Sequence, residues 1–114
     1  MKLIRVKADY TENKREFILF TLLTDRENKI VTDWEMFGYV VDAGEDGLYT
    51  YPFVIKATHK KEVMTLQYGA DSEYAMDRVN LIQKELKVGE YFTRWVNNTD
   101  EYTYVISNIE EIIR

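Results

Sequence analysis

The sequence predicts a single α+β domain over residues 1–114: one mostly antiparallel sheet of about six strands, with a strongly curved or barrel-like sheet as one option, and one main helix over about 71–88 packed on it. Three observations carry this expectation. Apolar residues alternate with polar ones in several short runs, polar and glycine-bearing segments divide those runs, and one segment alone holds an apolar stripe at helical spacing. No internal repeat, proline-rich linker or low-complexity tract points to a second domain.

Residues 2–8 alternate, with Ile4, Val6 and Ala8 on one side and Leu3, Arg5 and Lys7 on the other, which predicts a half-buried first strand. The polar run 11–16 interrupts it. Phe17 to Leu23 is then almost continuously apolar, as in a central strand covered on both faces, with a short buried helix as the rival. After the charged turn 25–29, two readings compete for 30–41. A helix capped by Thr32 or Asp33 would align Trp34, Phe37 and Val41, but Gly38 would cost about 1 kcal/mol there. The aromatic and β-branched content favours a strand. Residues 42–47, with two glycines and two aspartates, read as a loop.

Leu48 to Ala57 reads as a strand in which Pro52 removes one donor, which predicts an edge position or a bulge. Glu62 to Tyr68 alternates and pairs with it through the short connection 58–61. The helix rests on Ala75, Val79, Ile82 and Leu86, spaced four, three and four. Asp71 or Ser72 would cap its start, Lys84 and Lys87 would suit its negative end, and Gly89 would supply a left-handed stop. Finally, 91–96 and 102–107 form a hairpin around 97–101. Tyr91, Thr93 and Trp95 share one face of it, and Tyr102, Tyr104 and Ile106 share a face of the second strand. Asn97-Asn98-Thr99 matches a glycosylation sequon and reads as a polar turn.

The segment Leu86-Lys87-Val88-Gly89-Glu90-Tyr91-Phe92 resembles the helix-to-strand entry of many small β-barrel and PUA-like domains. So short and common a match implies no particular function.

Composition narrows the function classes. A chain of this length buries roughly two-thirds of its unfolded surface, so folding requires no metal or cofactor. The absence of cysteine excludes disulfides, thiolate metal sites and thiol catalysis. The first residues alternate where a signal peptide would be apolar, and no run approaches ~18 apolar residues, so the default expectation is a cytoplasmic protein without a membrane partner. A net charge of −5 disfavours nucleic acid.

Most chemical motifs fail on inspection. Residues 42–47 begin like a calcium loop, but position three is Gly44 and position twelve is Phe53, so two oxygen donors are missing. Gly38, Gly44, Gly47, Gly69 and Gly89 form no phosphate loop, dinucleotide fingerprint or nucleophile elbow. His59 is the sole histidine and belongs to a solvated basic connection, a poor setting for a general base. Two weaker constellations remain. Asp9, Asp25, Asp33 and Asp42 lie near strand ends, where a metal-dependent hydrolase or nuclease would place ligands, and no spacing links them. Lys56, His59, Lys60 and Lys61, beside Tyr49, Tyr51 and Tyr68, form a candidate binding surface of the kind that holds single-stranded nucleic acid.

Nine tyrosines either complete the core or, being many for so small a domain, leave rings at the surface. Tyr91, Trp95, Tyr102 and Tyr104, with Ile109, Ile112 and Ile113 at the chain end, form a candidate interface for a protein partner or a second copy. The leading expectation is therefore a non-catalytic binding or protein-interaction module with no catalytic residue, metal or cofactor. A hydrolase or nuclease and a single-strand binder are the alternatives.

Overall fold

The computed structural model describes residues 1–32, 34, 36–57, 63–69, 76–82, 84–97 and 99–113, with the backbone alone at 56, 57, 76 and 113. Eight strands follow one another: β1 (Lys2–Tyr10), β2 (Asn13–Thr24), β3 (Met36–Gly44), β4 (Gly47–Ala57), β5 (Met64–Tyr68), β6 (Met76–Val79), β7 (Tyr91–Val96) and β8 (Asp100–Ile113). Each pairs antiparallel with the next, and β8 returns to β1, so the sheet closes into an up-and-down barrel. Closure gives every strand two neighbours and leaves no edge.

The alternation seen in the sequence sets the register. Register partners share a face, so the rows Val6–Phe20–Gly38–Phe53 and Ile4–Leu22 point inward together. Val6, Phe20, Leu22 and Leu66 are fully buried, and Phe92 and Ile106 nearly so. Gly38 makes room for this packing. A Cβ there would overlap the carbonyl oxygen of Leu19 and press on the Phe53 ring.

One end of the barrel is capped by the β2–β3 and β6–β7 connections. Ile30, Leu81 and Leu86 from these connections are buried in the same core cluster as Met36, Ile55 and Met64, and the Leu86 amide donates to the Asn28 carbonyl at 2.9 Å. Asp25 shapes the first connection by accepting the amides of Glu27 and Lys29 at 2.8 and 3.1 Å, an Asx turn that leaves Asn28 with a positive φ of 61°. At the opposite, hairpin end lie the turns at 11–12 and 45–46 and the link from Val96 to Asp100.

The expected α+β class is overturned. No helix occurs among the described residues, and the strands number eight, not six. Of the proposed helix 71–88, residues 71–75 lie outside the described part, taking with them the caps Asp71 and Ser72 and the first stripe residue, Ala75. Met76–Val79 is β6, which joins β5 through four register pairs and β7 through three. Ladder bonds and barrel burial outweigh a local helix preference worth only tenths of a kcal/mol per residue. Val79 and Leu86 are buried, as the stripe required, but in a strand and a capping connection. Gly89 does have a positive φ of 94°, in the turn that leads into β7.

Three smaller expectations also shift. Residues 42–44 belong to β3, because Gly44 pairs with Gly47 and the turn is only Glu45-Asp46. Pro52 sits in a strand paired on both sides. The β5 ladder begins only at Phe53, so the missing donor forfeits no bond. β2 is fully buried only on its inner face, and of its outer row Thr21 is buried while Phe17, Leu19 and Leu23 lie half-buried.

Candidate functional site

Toward the hairpin end the inward rows change from apolar to polar. Phe92, Arg94 and Val96 follow one another on the inner face of β7, and Asp77 precedes Val79 on that of β6. Arg94 and Asp77 are only 7% and 5% exposed. Arg94 donates from Nε to Asp77 Oδ2 at 2.7 Å, and its Nη2 lies 2.7 Å from the same oxygen. Its Nη1 donates to the Tyr104 hydroxyl at 2.9 Å and reaches Asp42 Oδ1 at 3.5 Å. Tyr68 donates to Asp77 Oδ2 at 2.5 Å. These residues come from β3, β5, β6, β7 and β8, so the network spans the barrel above the core. A charge buried this deeply requires such pairing.

The titration behaviour follows. Burial pushes the Tyr68 phenol far above its ordinary value; nearby Arg94 opposes this, and the bond to Asp77 adds to it. Burial likewise raises Tyr104, with Arg94 opposing. For Arg94 burial works against the charge, but Tyr104, Tyr68 and Asp77 together outweigh it, so the guanidinium remains ionised. At the rim, Tyr10 is pushed up to about 12, mainly by its 2.7 Å hydrogen bond to Glu12.

Two cavities lie against this network, each of about 260 Å³. Tyr10, Glu16, Asp42, Ala43, Arg94, Val96, Tyr102 and Tyr104 line the first. Asp42, Tyr51, Tyr68, Asp77, Arg94, Val96 and Asn97 line the second. Asp42, Arg94 and Val96 are walls of both, so the cavities adjoin. Eight-stranded barrels have an interior just wide enough for side chains or one small ligand. Here side chains fill the capped end, and space remains at the other.

The expected binding residues separate along β4. Tyr51 and Tyr68 line the second cavity, and Tyr49, the register partner of Asp42, stands beside them at the hairpin end. Lys56 lies five residues beyond Tyr51, roughly 17 Å away toward the capped end, and its side chain is outside the described part, as are His59, Lys60 and Lys61.

The expected interface residues divide as well. Tyr102 and Tyr104 turn inward to the first cavity, whereas Tyr91 and Trp95 face outward. Trp95 donates to Glu101 at 3.0 Å and lies under the Arg78 guanidinium, 5.7 Å from ring centre to cation. Ile109 packs on the core and Ile112 is 39% exposed; of Ile113 only the backbone is described.

Of the strand-end aspartates, Asp42 lines the cavities, Asp25 forms its turn, Asp9 pairs with Lys7 at 3.6 Å on the outer wall, and Asp33 lies outside the described residues. Among the described residues no three His, Asp or Glu side chains gather as a metal would require, and no helix is long and apolar enough to cross a membrane.

Arg94, Asp77, Glu16 and Tyr10 were not among the expected site residues, and Asp42 was expected only as a strand-end metal ligand. The signal for Arg94 was its place between Phe92 and Val96 on an apolar alternating face, where a charge demands a buried partner. Compared with models of known protein families, with curated proteins and with solved structures, the chain matches none.

Proposed function

We propose that this protein is a non-catalytic binding module that takes a small molecule into the hairpin end of its barrel. One observation carries the reading: the interior is packed with apolar side chains at one end and, above the Arg94–Asp77 pair, leaves two adjoining cavities walled by tyrosines and carboxylates. A few convergent polar groups in a concave, partly aromatic site are what small-ligand recognition uses. The Arg94 network supports a binding role over a catalytic one, since Nε, Nη2 and Nη1 each hold a partner on Asp77 or Tyr104 and the pair works as a rigid floor.

Backbone-amide NMR with a fragment collection of cations, anions and neutral molecules tests this. Ligand-dependent shifts should gather on Asp42–Ala43, Arg94–Val96 and Tyr102–Tyr104. Shifts confined to the outer wall, or none at millimolar fragment, would overturn the reading.

A further inference from the structure

The charge and shape of the first cavity specify a ligand class. Among the charged walls of the two cavities, Glu16, Asp42 and Asp77 are acidic and Arg94 is basic, so three carboxylates against one guanidinium leave a formal excess of two negative charges. Arg94 offers little to an anion. Nε and Nη2 are engaged on Asp77 and Nη1 on Tyr104, and the Asp42 carboxylate stands 3.5 Å from Nη1, so an anion approaching the guanidinium would meet a carboxylate already beside it.

Asp42 and Glu16 stand nearer the rim and are half-buried. Asp42 is 3.5 Å from Arg94, a long contact, and Glu16 accepts the Ala43 amide through Oε1 at 3.1 Å. Beside them three tyrosines cluster. The Tyr10 ring lies 5.5 Å from both Tyr102 and Tyr104, edge-on to the first and tilted to the second. Aromatic rings angled around a small space, with carboxylates in the same wall, attract a cation through ring quadrupoles and Coulomb forces together.

We infer that the cavity bounded by Tyr10, Tyr102, Tyr104, Glu16 and Asp42 binds a small organic cation, an alkylammonium group of about the size of trimethylammonium. This rests on the proposed small-molecule reading and adds the ligand's charge to it. The tyrosines supply a sheath that tolerates methyl groups, and the carboxylates select the charge. Arg94 holds the Tyr104 hydroxyl and so orients one of the three rings.

The test compares choline with its uncharged isostere 3,3-dimethyl-1-butanol and with pivalate, titrated into the full chain and followed by amide shifts of Ala43 and Val96. Choline should bind at least about tenfold more tightly than the alcohol, as expected of a cation–π and carboxylate contribution of this kind, and pivalate should not bind. The choline affinity should fall as salt rises.

Glu16→Gln, nearly isosteric, should weaken choline several-fold and leave the alcohol unchanged. Tyr102→Leu should weaken choline as well, and an unaltered thermal midpoint in either variant shows that the barrel is intact. Equal affinities for choline and the alcohol, or a preference for pivalate, would overturn the cation assignment and leave the small-molecule reading standing. If no probe or fragment moves these amides, both fall.

Discussion

At the scale of single residues, Arg94 and Asp77 depend on each other. Both side chains are less than a tenth exposed, and each is the other's closest ionic partner, at 2.7 Å. Removing one leaves the other as an uncompensated charge, which costs about 3–5 kcal/mol in buried pairs. Asp77→Ala and Arg94→Ala should each lose about that much in urea unfolding. The double variant Asp77→Leu with Arg94→Met, which removes both charges and restores volume, should lie closer to the wild type than either. Additive losses in the double variant would contradict the coupling.

The buried phenols give a pH dependence of definite sign. Tyr68 and Tyr104 hold their protons more firmly folded than unfolded, so the unfolded chain binds fewer protons once the pH passes the ordinary value of 10.0. Their contribution is complete below that value and is lost as pH rises, by about 1.4 kcal/mol per pH unit for each phenol. Absorbance at 295 nm should show Tyr10 ionising near 12, with Tyr68 and Tyr104 ionising only as the protein unfolds. A single smooth titration of all nine tyrosines below unfolding would refute this.

At the scale of elements, β3 shows how alternation divides the roles of neighbouring positions. Gly38 faces inward against Phe53, and Phe37 faces outward, 59% exposed beside Val54. Gly38→Ala would place a methyl into the Leu19 carbonyl and force the β2–β3 ladder apart, a loss of roughly 3 kcal/mol by analogy with overpacked cores. Phe37→Thr, which suits a strand and removes only exposed ring, should stay within about 0.5 kcal/mol. Chemical denaturation of the two variants should therefore differ widely; comparable losses would mean that the inward and outward assignments are wrong.

The same alternation explains what the sequence could and could not disclose. β1, β4, β5, β7 and the start of β8 were legible because each carries enough alternating positions, or enough aromatic and β-branched residues, for the period to show. The described part of β6 has four residues, too few to display a period. The spacing of Val79, Ile82 and Leu86 matched a helix, although Val79 and Leu86 are buried for other reasons. In the site, Tyr51, Tyr68, Tyr102 and Tyr104 stood out by composition. Asp42 read as a loop residue, and Asp77 as one position on a helix, so the neighbours that make them a site depended on a register not visible locally.

At the scale of the whole molecule, the weakest link in a closed sheet is its shortest ladder, and that link passes through the candidate site. Among the described residues β6 is held by four register pairs on one side and three on the other, against eight or more in β1–β2, β1–β8 and β3–β4. Backbone bonds alone would make it the first strand to open. Asp77 opposes this by accepting from Tyr68 on β5 and Arg94 on β7, which ties β6 to both neighbours through side chains. Native-state hydrogen exchange should find the amides of Asp77–Val79 opening at lower free energy than those of Val6, Ala8 and Phe20. Asp77→Asn keeps the shape but weakens both bonds, so it should speed exchange on β6 more than on β1. A ligand seated against the Arg94 network should slow exchange on β6 first, because stabilising the floor of the cavity stabilises the strand that supplies half of its buried ion pair. Uniform slowing over all eight strands would mean instead that opening is global and that the Asp77 ties do not govern closure of the barrel.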